Sequence, residues 1–251
     1  MRRLFTPRWI LIHLGVAALV FLMVNLAFWQ LRRLDEKRTF NATLTAATEL
    51  PVTELFRTSS WKTTTAPVTE WSRVVVEGTY DMSHAVTIVN RSQDGTAGYD
   101  TLVPLVLRDG RVLFVNRGYV PLARPVPSPP SGTVSVMGYV RATQTRGTLG
   151  AIDSSDPGTT EFQRFDIELI ARRLDSPHFP WFLQRVKESP VQEGQWPATV
   201  ALPELTEGPH LSYAVQWFFF SAVAIAAWTV VVRRRLREPL SPPGSPSGTS
   251  A

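Results

Sequence analysis

Two long stretches without formal charge, one near each end of the chain, constrain most strongly what this sequence can fold into. Trp9 to Leu31 has 23 residues and Leu211 to Val232 has 22. A helix needs about 20 apolar residues to cross the hydrocarbon core of a bilayer, so both are long enough. The first is too long for the apolar region of a secretory signal peptide and has no small-residue cleavage site after it. The pattern therefore predicts two transmembrane helices.

Arginines predict how these helices are oriented. Arg233, Arg234, Arg235 and Arg237 follow the second stretch directly, whereas the segment from Glu188 to His210 has no Lys or Arg. Positive residues are retained on the cytoplasmic side of a membrane, which places the C-terminus there. With two spans the N-terminus is cytoplasmic as well. The chain between the spans is then an extracytoplasmic domain.

The expected organisation has six parts. They are a cytoplasmic N-terminus at residues 1–8, transmembrane helix 1 at 9–31, a helical extension and connector at 32–70, an extracytoplasmic β-rich domain at 71–210, transmembrane helix 2 at 211–232, and a cytoplasmic basic flank with a disordered tail at 233–251. The tail is rich in Ser, Pro and Gly, a composition that cannot bury a core.

The charge of the central domain argues against a nucleic-acid partner. The chain as a whole has a net charge of +5, but Thr39 to His210 contains 15 Lys and Arg against 18 Asp and Glu. The positive excess therefore belongs to the membrane flanks, and a nucleic-acid-binding protein would need it on the folded domain. The absence of cysteine excludes disulfides, thiolate metal sites and c-type haem attachment.

The sequence of the central domain predicts a mainly β structure. Strands rich in β-branched residues are predicted at 73–80, 85–90, 101–107, 112–116, 134–141 and 179–186, and one helix from Asp166 to about Leu174. Asp109-Gly110 predicts a hairpin with a type I′ turn, which requires positive φ at both residues. The expected fold class is membrane α+β, with two transmembrane helices flanking a mainly antiparallel small sheet or partly closed barrel and one short helix.

No catalytic constellation stands out in this domain. The sequence lacks the metalloprotease, nucleophile-elbow, phosphate-loop and dinucleotide motifs. His84 and His178 lie far apart without a motif around them, and Met82-Ser83-His84 is a weak signal for copper. An enzyme is therefore not indicated.

Polar residues in the membrane helices are more informative. His210, Tyr213, Ala214 and Trp217 share one face at the outer end of helix 2. In helix 1, Asn25, Trp29 and Arg32 share a face at the same depth, with Gln30 beside them. Aromatic belts explain the Trp and Tyr residues, but not Asn25, Gln30, His210 and Gln216, and intramembrane polar groups mark functional sites by default. From the residues alone, His210 is either a helix-start residue at the interface or a ligand.

Four segments resemble the Surf-one (surfeit locus) family of cytochrome c oxidase biogenesis proteins. They are LAFWQLRRLDEK at Leu26–Lys37, the first strand at Arg73–Tyr80, NRGYVP at Asn116–Pro121, and HLSYAVQWFFF at His210–Phe220. The last is the most specific, and the resemblance covers about residues 9 to 235. Ala27 and Tyr119 depart from it, since the family usually has Gly and Trp at these positions.

The resemblance implies a non-enzymatic assembly factor or chaperone for an aa3-type oxidase in a bacterial plasma membrane. Its implied partner is an oxidase subunit, subunit I above all, and its implied cofactor is haem a, held transiently with His210 as the metal ligand. Tyr213, Trp217 and Trp29 are expected beside the haem. Arg32 and Arg33 either pair with its propionates, since guanidinium groups match carboxylate geometry, or only anchor the helix at the headgroups.

Two alternatives remain open. One is a haem-free scaffold or accessory subunit of the oxidase or of a respiratory supercomplex. The other is a membrane-tethered ligand-binding or sensor module, which fits the topology but has only a short cytoplasmic tail for output.

Overall fold

The computed structural model describes residues 4, 6–54 and 69–237. Residues 55–68 of the predicted extension and connector, and the tail from Glu238 onward, lie outside these residues. The chain divides into two compact units. One contains Met1–Ala42 and Leu205–Ala251, and the other contains Thr43–Glu204.

The structure has three α-helices: α1 (Pro7–Glu49), α2 (Ile167–Ala171) and α3 (His210–Arg237). α1 begins at a proline, whose missing N–H costs nothing at a first helical position, and it ends just before Pro51. At 43 residues it is about 65 Å long, so it continues well beyond one bilayer thickness. The most apolar windows of α1 and α3 are only 11% and 6% buried, so neither is the core helix of a soluble protein.

α1 and α3 pack as an antiparallel pair along a seam with a seven-residue repeat. The less exposed positions recur at alternating spacings of three and four. They are His13, Val16, Val20, Met23, Ala27, Gln30 and Leu34 on α1, and His210, Ala214, Trp217, Ser221, Ala224 and Trp228 on α3. Spacing of this kind gives left-handed packing. Small residues let two membrane helices approach closely, and Ala27, Ala214 and Ser221 are 0%, 1% and 4% exposed.

The described part of residues 43–204 forms a β domain with eight strands. They are β1 (Thr53–Glu54), β2 (Arg73–Tyr80), β3 (Val86–Gln93), β4 (Thr96–Leu107), β5 (Val112–Pro121), β6 (Thr133–Ala142), β7 (Glu161–Phe162) and β8 (His178–Ser189). The predicted strands match six of these, although β3, β4 and β5 run several residues further than their patterns indicate.

Five of the strands close into a barrel. β2 pairs with β6, β6 with β8, β8 with β5, β5 with β4, and β4 with β2. All these pairings are antiparallel except β5–β8, which is parallel. The expected mainly antiparallel domain is therefore confirmed, and the barrel is closed rather than partly open. Alternating residues such as Val74 and Val76 fill its interior.

α2 covers a second apolar cluster. Ile167, Ile170 and Ala171 pack with Phe165 and Phe182, whose rings stack 4.4 Å apart. The side chain of Asp166 accepts a hydrogen bond from the Leu169 N–H, as predicted for an N-cap. α2 ends at Ala171, earlier than the predicted Leu174.

The type I′ turn is at a different hairpin from the one predicted. The predicted hairpin at Asp109-Gly110 is confirmed, since β4 and β5 pair antiparallel on either side of it, but its turn is not type I′, because Gly110 has φ +81° and Asp109 does not have positive φ. The turn carries an extra residue, because the Leu107 N–H donates to Arg111 O. Asp94-Gly95, between β3 and β4, has φ of +51° and +75°, which is the conformation that a two-residue hairpin needs.

Candidate functional site

A hydrogen bond between His210 and Gln30 joins the two long helices where α3 begins. His210 Nδ1 lies 2.8 Å from Gln30 Oε1, and both side chains are half-buried in the seam. An amide oxygen only accepts, so in a neutral imidazole this contact puts the ring proton on Nδ1. The other nitrogen, Nε2, then keeps its lone pair. Such outer hydrogen bonds fix the tautomer and orientation of metal-binding histidines.

Gly208 leaves space beside Nε2. A Cβ added to Gly208 would lie 3.5 Å from His210 Cδ2 and 3.6 Å from Nε2. A side chain at this position would therefore be in ordinary van der Waals contact with this edge of the ring, and the φ of +66° at Gly208 also favours glycine. An imidazole with a fixed tautomer and an open Nε2 is a suitable axial ligand for haem iron.

The segment before α3 is tied to the extension of α1. Arg38 Nε and Nη2 donate to the two carboxylate oxygens of Glu207 at 2.8 and 3.0 Å, and Asn41 Nδ2 donates to Thr206 O at 3.3 Å. The hydrogen bonds and the charge of Arg38 lower the pKa of Glu207 below its ordinary value. The arrangement fixes the chain on both sides of Gly208.

The other residues expected on α3 lie around His210 in different environments. Trp217 is on the seam and half-buried, whereas Tyr213 is 47% exposed beside it. Ala214 is 1% exposed and lies on the seam with α1. Its small size serves helix packing.

The residues expected on α1 do not all face His210. Trp29 and Arg32 are exposed, and Arg32 lies about 160° around the helix from Gln30. Arg33 lies only about 60° from Gln30, and its Nη1 pairs with Glu36 Oε2 at 2.5 Å. Of the two arginines, Arg33 is therefore on the side of His210.

His13, near the start of α1, is distant from His210. His13 packs edge-on against the ring of Trp228 at 4.8 Å, close to Trp9. It precedes Gln30 by 17 residues, which is about 25 Å along the helix. His13 and His210 therefore cannot ligate one haem.

A buried ionic cluster, consisting of Tyr80, Arg117, Arg185 and Glu188, lies in the β domain. Glu188 accepts hydrogen bonds from Arg185 Nη1 and from the Tyr80 hydroxyl, the latter at 3.0 Å, and Arg117 Nη2 is 3.7 Å away. Arg117 is fully buried. Burial lowers the pKa of Arg117, and Glu188 opposes that shift. Burial and the Glu188 charge both raise the pKa of Tyr80.

The NRGYVP segment attaches the chain that follows β8 to the barrel. Arg117 donates to Pro127 O at 3.0 Å and to the Gln192 side chain. Tyr119 exchanges two backbone hydrogen bonds with Ala198. Gly118 has φ +125°, and a Cβ there would lie 2.1 Å from Ala198 O. The segment therefore has a structural role inside the β domain.

One polar pocket of about 220 Å³ opens on this domain. Arg91 and Asp100 line it, with Arg91 Nε 3.8 Å from Asp100 Oδ2, and Arg141 contributes a guanidinium that donates to Gln184 at 2.8 Å. Burial raises the pKa of Asp100, opposed by Arg91 and by a hydrogen bond from Asn116.

The remaining histidines are engaged locally. His84 Nδ1 is 2.6 Å from Asp81 Oδ2, and His178 Nε2 is 3.6 Å from Glu168 Oε2. Within residues 6–54 and 69–237, no group of three or more His, Asp or Glu side chains is arranged to hold a metal ion.

Sequence reasoning missed two sets of residues. The sequence places Gln30 near the outer end of helix 1 but does not predict its bond to His210. Helical angles give the positions of residues around one helix, and they do not show which face of that helix contacts the other helix. The ionic cluster was missed entirely. A basic residue inside a β-rich motif, as in Arg117, was the available signal.

Comparison with known proteins bears on the whole chain. A family profile described as the SURF1 family matches residues 17–222. SURF1-like proteins of Mycobacterium bovis and Mycobacterium tuberculosis are each 26% identical over 259 residues, covering 97% of this chain and 92% of theirs. A SURF1-like protein of Monosiga brevicollis is 27% identical over 229 residues, covering 84% of this chain and 83% of its own. The profile spans most of the sequence, so this chain belongs to the SURF1 family.

Proposed function

We propose that this protein is a membrane-anchored assembly factor for an aa3-type cytochrome c oxidase, located in the bacterial plasma membrane with both termini in the cytoplasm. Family membership supports the role, and two long apolar helices with little internal burial support the location. The arginines after α3 support the orientation. Subunit I is the proposed partner.

Within this role, the protein holds haem a through His210. The observation that carries the proposal is the hydrogen bond from His210 Nδ1 to Gln30, which leaves Nε2 open beside Gly208. Haem a supplies the redox-active iron of the mature oxidase. Gln30 orients the ring and keeps its proton on Nδ1, and Trp217 and Tyr213 offer aromatic surface on the same side.

Arg33 is the better of the two proposed partners for a haem propionate. It lies on the side of Gln30, and its pairing with Glu36 is between groups that are 51% and 60% exposed. Exposed ion pairs contribute little, so exchange of Glu36 for a propionate costs little. Arg32, on the far side of α1, is left to anchor the helix at the headgroups.

A single protein ligand suits a protein that carries haem to an acceptor rather than one that binds haem permanently. None of the described residues offers a second histidine within reach of His210, so a haem would be held by one protein ligand and by peripheral contacts. A carrier must release its cargo to the acceptor. Holding by one ligand would favour release to an acceptor that binds the haem more tightly.

The two alternative functions each have one supporting observation. A haem-free scaffold is favoured by the His210–Gln30 bond itself, which already satisfies one ring nitrogen and links the helices. A ligand-binding module is favoured by the pocket beside Arg91. Its volume of about 220 Å³ lies below the range of about 300–1,000 Å³ that small-molecule sites occupy.

Co-purification tests the oxidase role. A C-terminally tagged protein, solubilised from its own membranes in mild detergent, is expected to retain subunit I. Absence of subunit I from the purified sample, under conditions that preserve the oxidase, would contradict the proposed role in oxidase assembly. A reporter active only outside the cytoplasm tests the orientation: it is expected to be active when fused at Gly147 and silent after Pro239, and the reverse pattern would contradict it.

A further inference from the structure

Two amide side chains in the membrane helices point away from the seam. Asn25 on α1 and Gln216 on α3 are both exposed. Each is two residues from a fully buried alanine of the seam, Ala27 and Ala214. Two residues turn a helix by about 200°, so each amide lies about 160° from the face that meets the other helix. The helix pair therefore has one amide on each of its two outward sides.

These amides lack partners that could satisfy them. Asn25 Nδ2 donates to Phe21 O of its own helix at 2.8 Å, but its Oδ1 has no partner among the described residues. The side chain of Gln216 makes no hydrogen bond in the same part of the chain. The contrast with Gln30 is direct, because Gln30 is paired with His210 across the seam.

The depth of both amides makes this arrangement unfavourable in lipid. Asn25 precedes Arg32 by seven residues and Gln216 follows His210 by six, which places them about 10 and 9 Å inside the outer ends of the spans. The hydrocarbon core is about 30 Å thick, and an amide side chain is too short to reach the headgroups from there. Acyl chains offer no hydrogen bonds, so polar groups at this depth normally face protein.

The two sides carry continuous stripes suited to helix packing. Leu22, Asn25, Trp29 and Arg32 follow one another at spacings of three and four on α1, and Ser212, Gln216, Phe219 and Val223 do so on α3. A closed two-fold dimer buries one face of each copy against itself. It could cover the stripe of Asn25 or that of Gln216, but it would leave the other amide in lipid.

We infer that Asn25 and Gln216 are contact points for transmembrane helices of a multi-span partner protein that packs on both sides of the α1–α3 pair. The partner helices carry hydrogen-bonding side chains at the depth of the two amides. This inference rests on the proposed function, since it takes the partner to be an oxidase subunit.

The test compares Asn25→Leu, Gln216→Leu and the double variant in full-length tagged protein purified from native membranes. Interhelical hydrogen bonds in membranes are modest, so each single variant is expected to reduce co-purified subunit I about threefold to twentyfold, and the double variant more. Thr229→Val is the matched control, because the Thr229 hydroxyl is exposed on α3 but already donates to Ile225 O at 2.7 Å. It is expected to have no effect.

Each outcome decides something different. If the wild type retains subunit I and both leucine variants retain it equally, the inference is wrong and the proposed function stands. If two differently tagged copies of the wild type co-purify and Asn25→Leu abolishes that association, the occupant is a second copy and the inference is wrong. If the wild type retains no oxidase subunit, the proposed function fails and the inference fails with it.

Discussion

The helix pair and the β barrel each contain one cluster of half-buried or buried polar residues, and the two clusters differ in what they leave open. In the barrel, Tyr80, Arg117, Arg185 and Glu188 bond to one another and to nearby carbonyls. In the helix pair, His210 bonds to Gln30 through one ring nitrogen and keeps the other free. The barrel cluster stabilises the fold. The His210–Gln30 bond orients an imidazole whose other nitrogen is still free to bind a ligand.

The comparison separates two of the four segments on which the family resemblance rests. NRGYVP is a structural motif, because the side chains of Asn116, Arg117 and Tyr119 all bond inside the β domain. HLSYAVQW begins with the residue that carries the free nitrogen. Two motifs that are equally easy to recognise in the sequence can therefore have different roles, and only their hydrogen-bond partners in the structure distinguish these roles.

The largest expected effect is on the barrel. Glu188→Ala leaves Arg117 and Arg185 buried without their anion, and breaking a buried ion pair in this way destabilises by about 3–5 kcal/mol. Thermal unfolding of the full-length protein in detergent measures it. Glu77→Ala is the control, because its partner Arg108 is 73% exposed, and we expect a change below about 1 kcal/mol. Equal losses in both variants would show that the cluster is not structural.

The next effect is on the helix pair. Gln30→Leu removes the acceptor for His210 Nδ1 and is expected to weaken haem binding about tenfold to a hundredfold. Gln30→Glu keeps an acceptor at the same position and is expected to retain binding. A haem titration followed by absorbance distinguishes the two variants. Similar affinities for Leu and Glu would mean that Gln30 does not orient the ring.

A smaller effect is expected at the outer end of α1. Arg33→Gln should weaken haem binding about tenfold, as loss of one charge-assisted hydrogen bond does, and Arg32→Gln should not, because Arg32 lies on the opposite side of the helix. Affinities measured in detergent exclude headgroup anchoring. A greater loss for Arg32→Gln would place the propionates on the outward face of α1.

The smallest effect concerns the barrel pocket. Burial raises the pKa of Asp100 in the folded state. Such a carboxyl contributes most stability below its unfolded pKa, and loses that contribution as pH rises through the folded pKa. Asp100→Asn is therefore expected to be more stable relative to the wild type at pH 7 than at pH 4. Unfolding at the two pH values measures this, and a constant difference would contradict the assignment.

Much of the fold could be predicted because its signals are local. The uncharged runs fix the two long helices, and β-branched patterns fix most of the strands, with Arg73–Tyr80 matching β2 at both ends. Closure of the barrel depends on β5 meeting β8 in parallel, a pairing of segments about 65 residues apart that no local pattern encodes. The misplaced type I′ turn shows that Asp-Gly alone does not set the loop length.

The candidate site was predictable to the level of single helices. Helical spacing grouped Tyr213 and Trp217 with His210, but the seam decided that Ala214 is covered and that Arg32 faces away. Which face of α1 meets α3 depends on the close packing of Ala27 against its partner helix, which is a tertiary property. The sequence alone therefore indicated the candidate ligand His210 and not its hydrogen-bond partner Gln30.

The measurement that tests the central claim most directly is the absorbance spectrum of the full-length protein purified from cells that make haem a. The wild type is expected to show a haem spectrum that His210→Ala loses, while His13→Ala, His84→Ala and His178→Ala retain it, because His210 alone is paired with Gln30 where α3 begins. Haem bound equally by the wild type and all four variants would contradict ligation by His210, and a wild type that binds none would leave the scaffold function in its place.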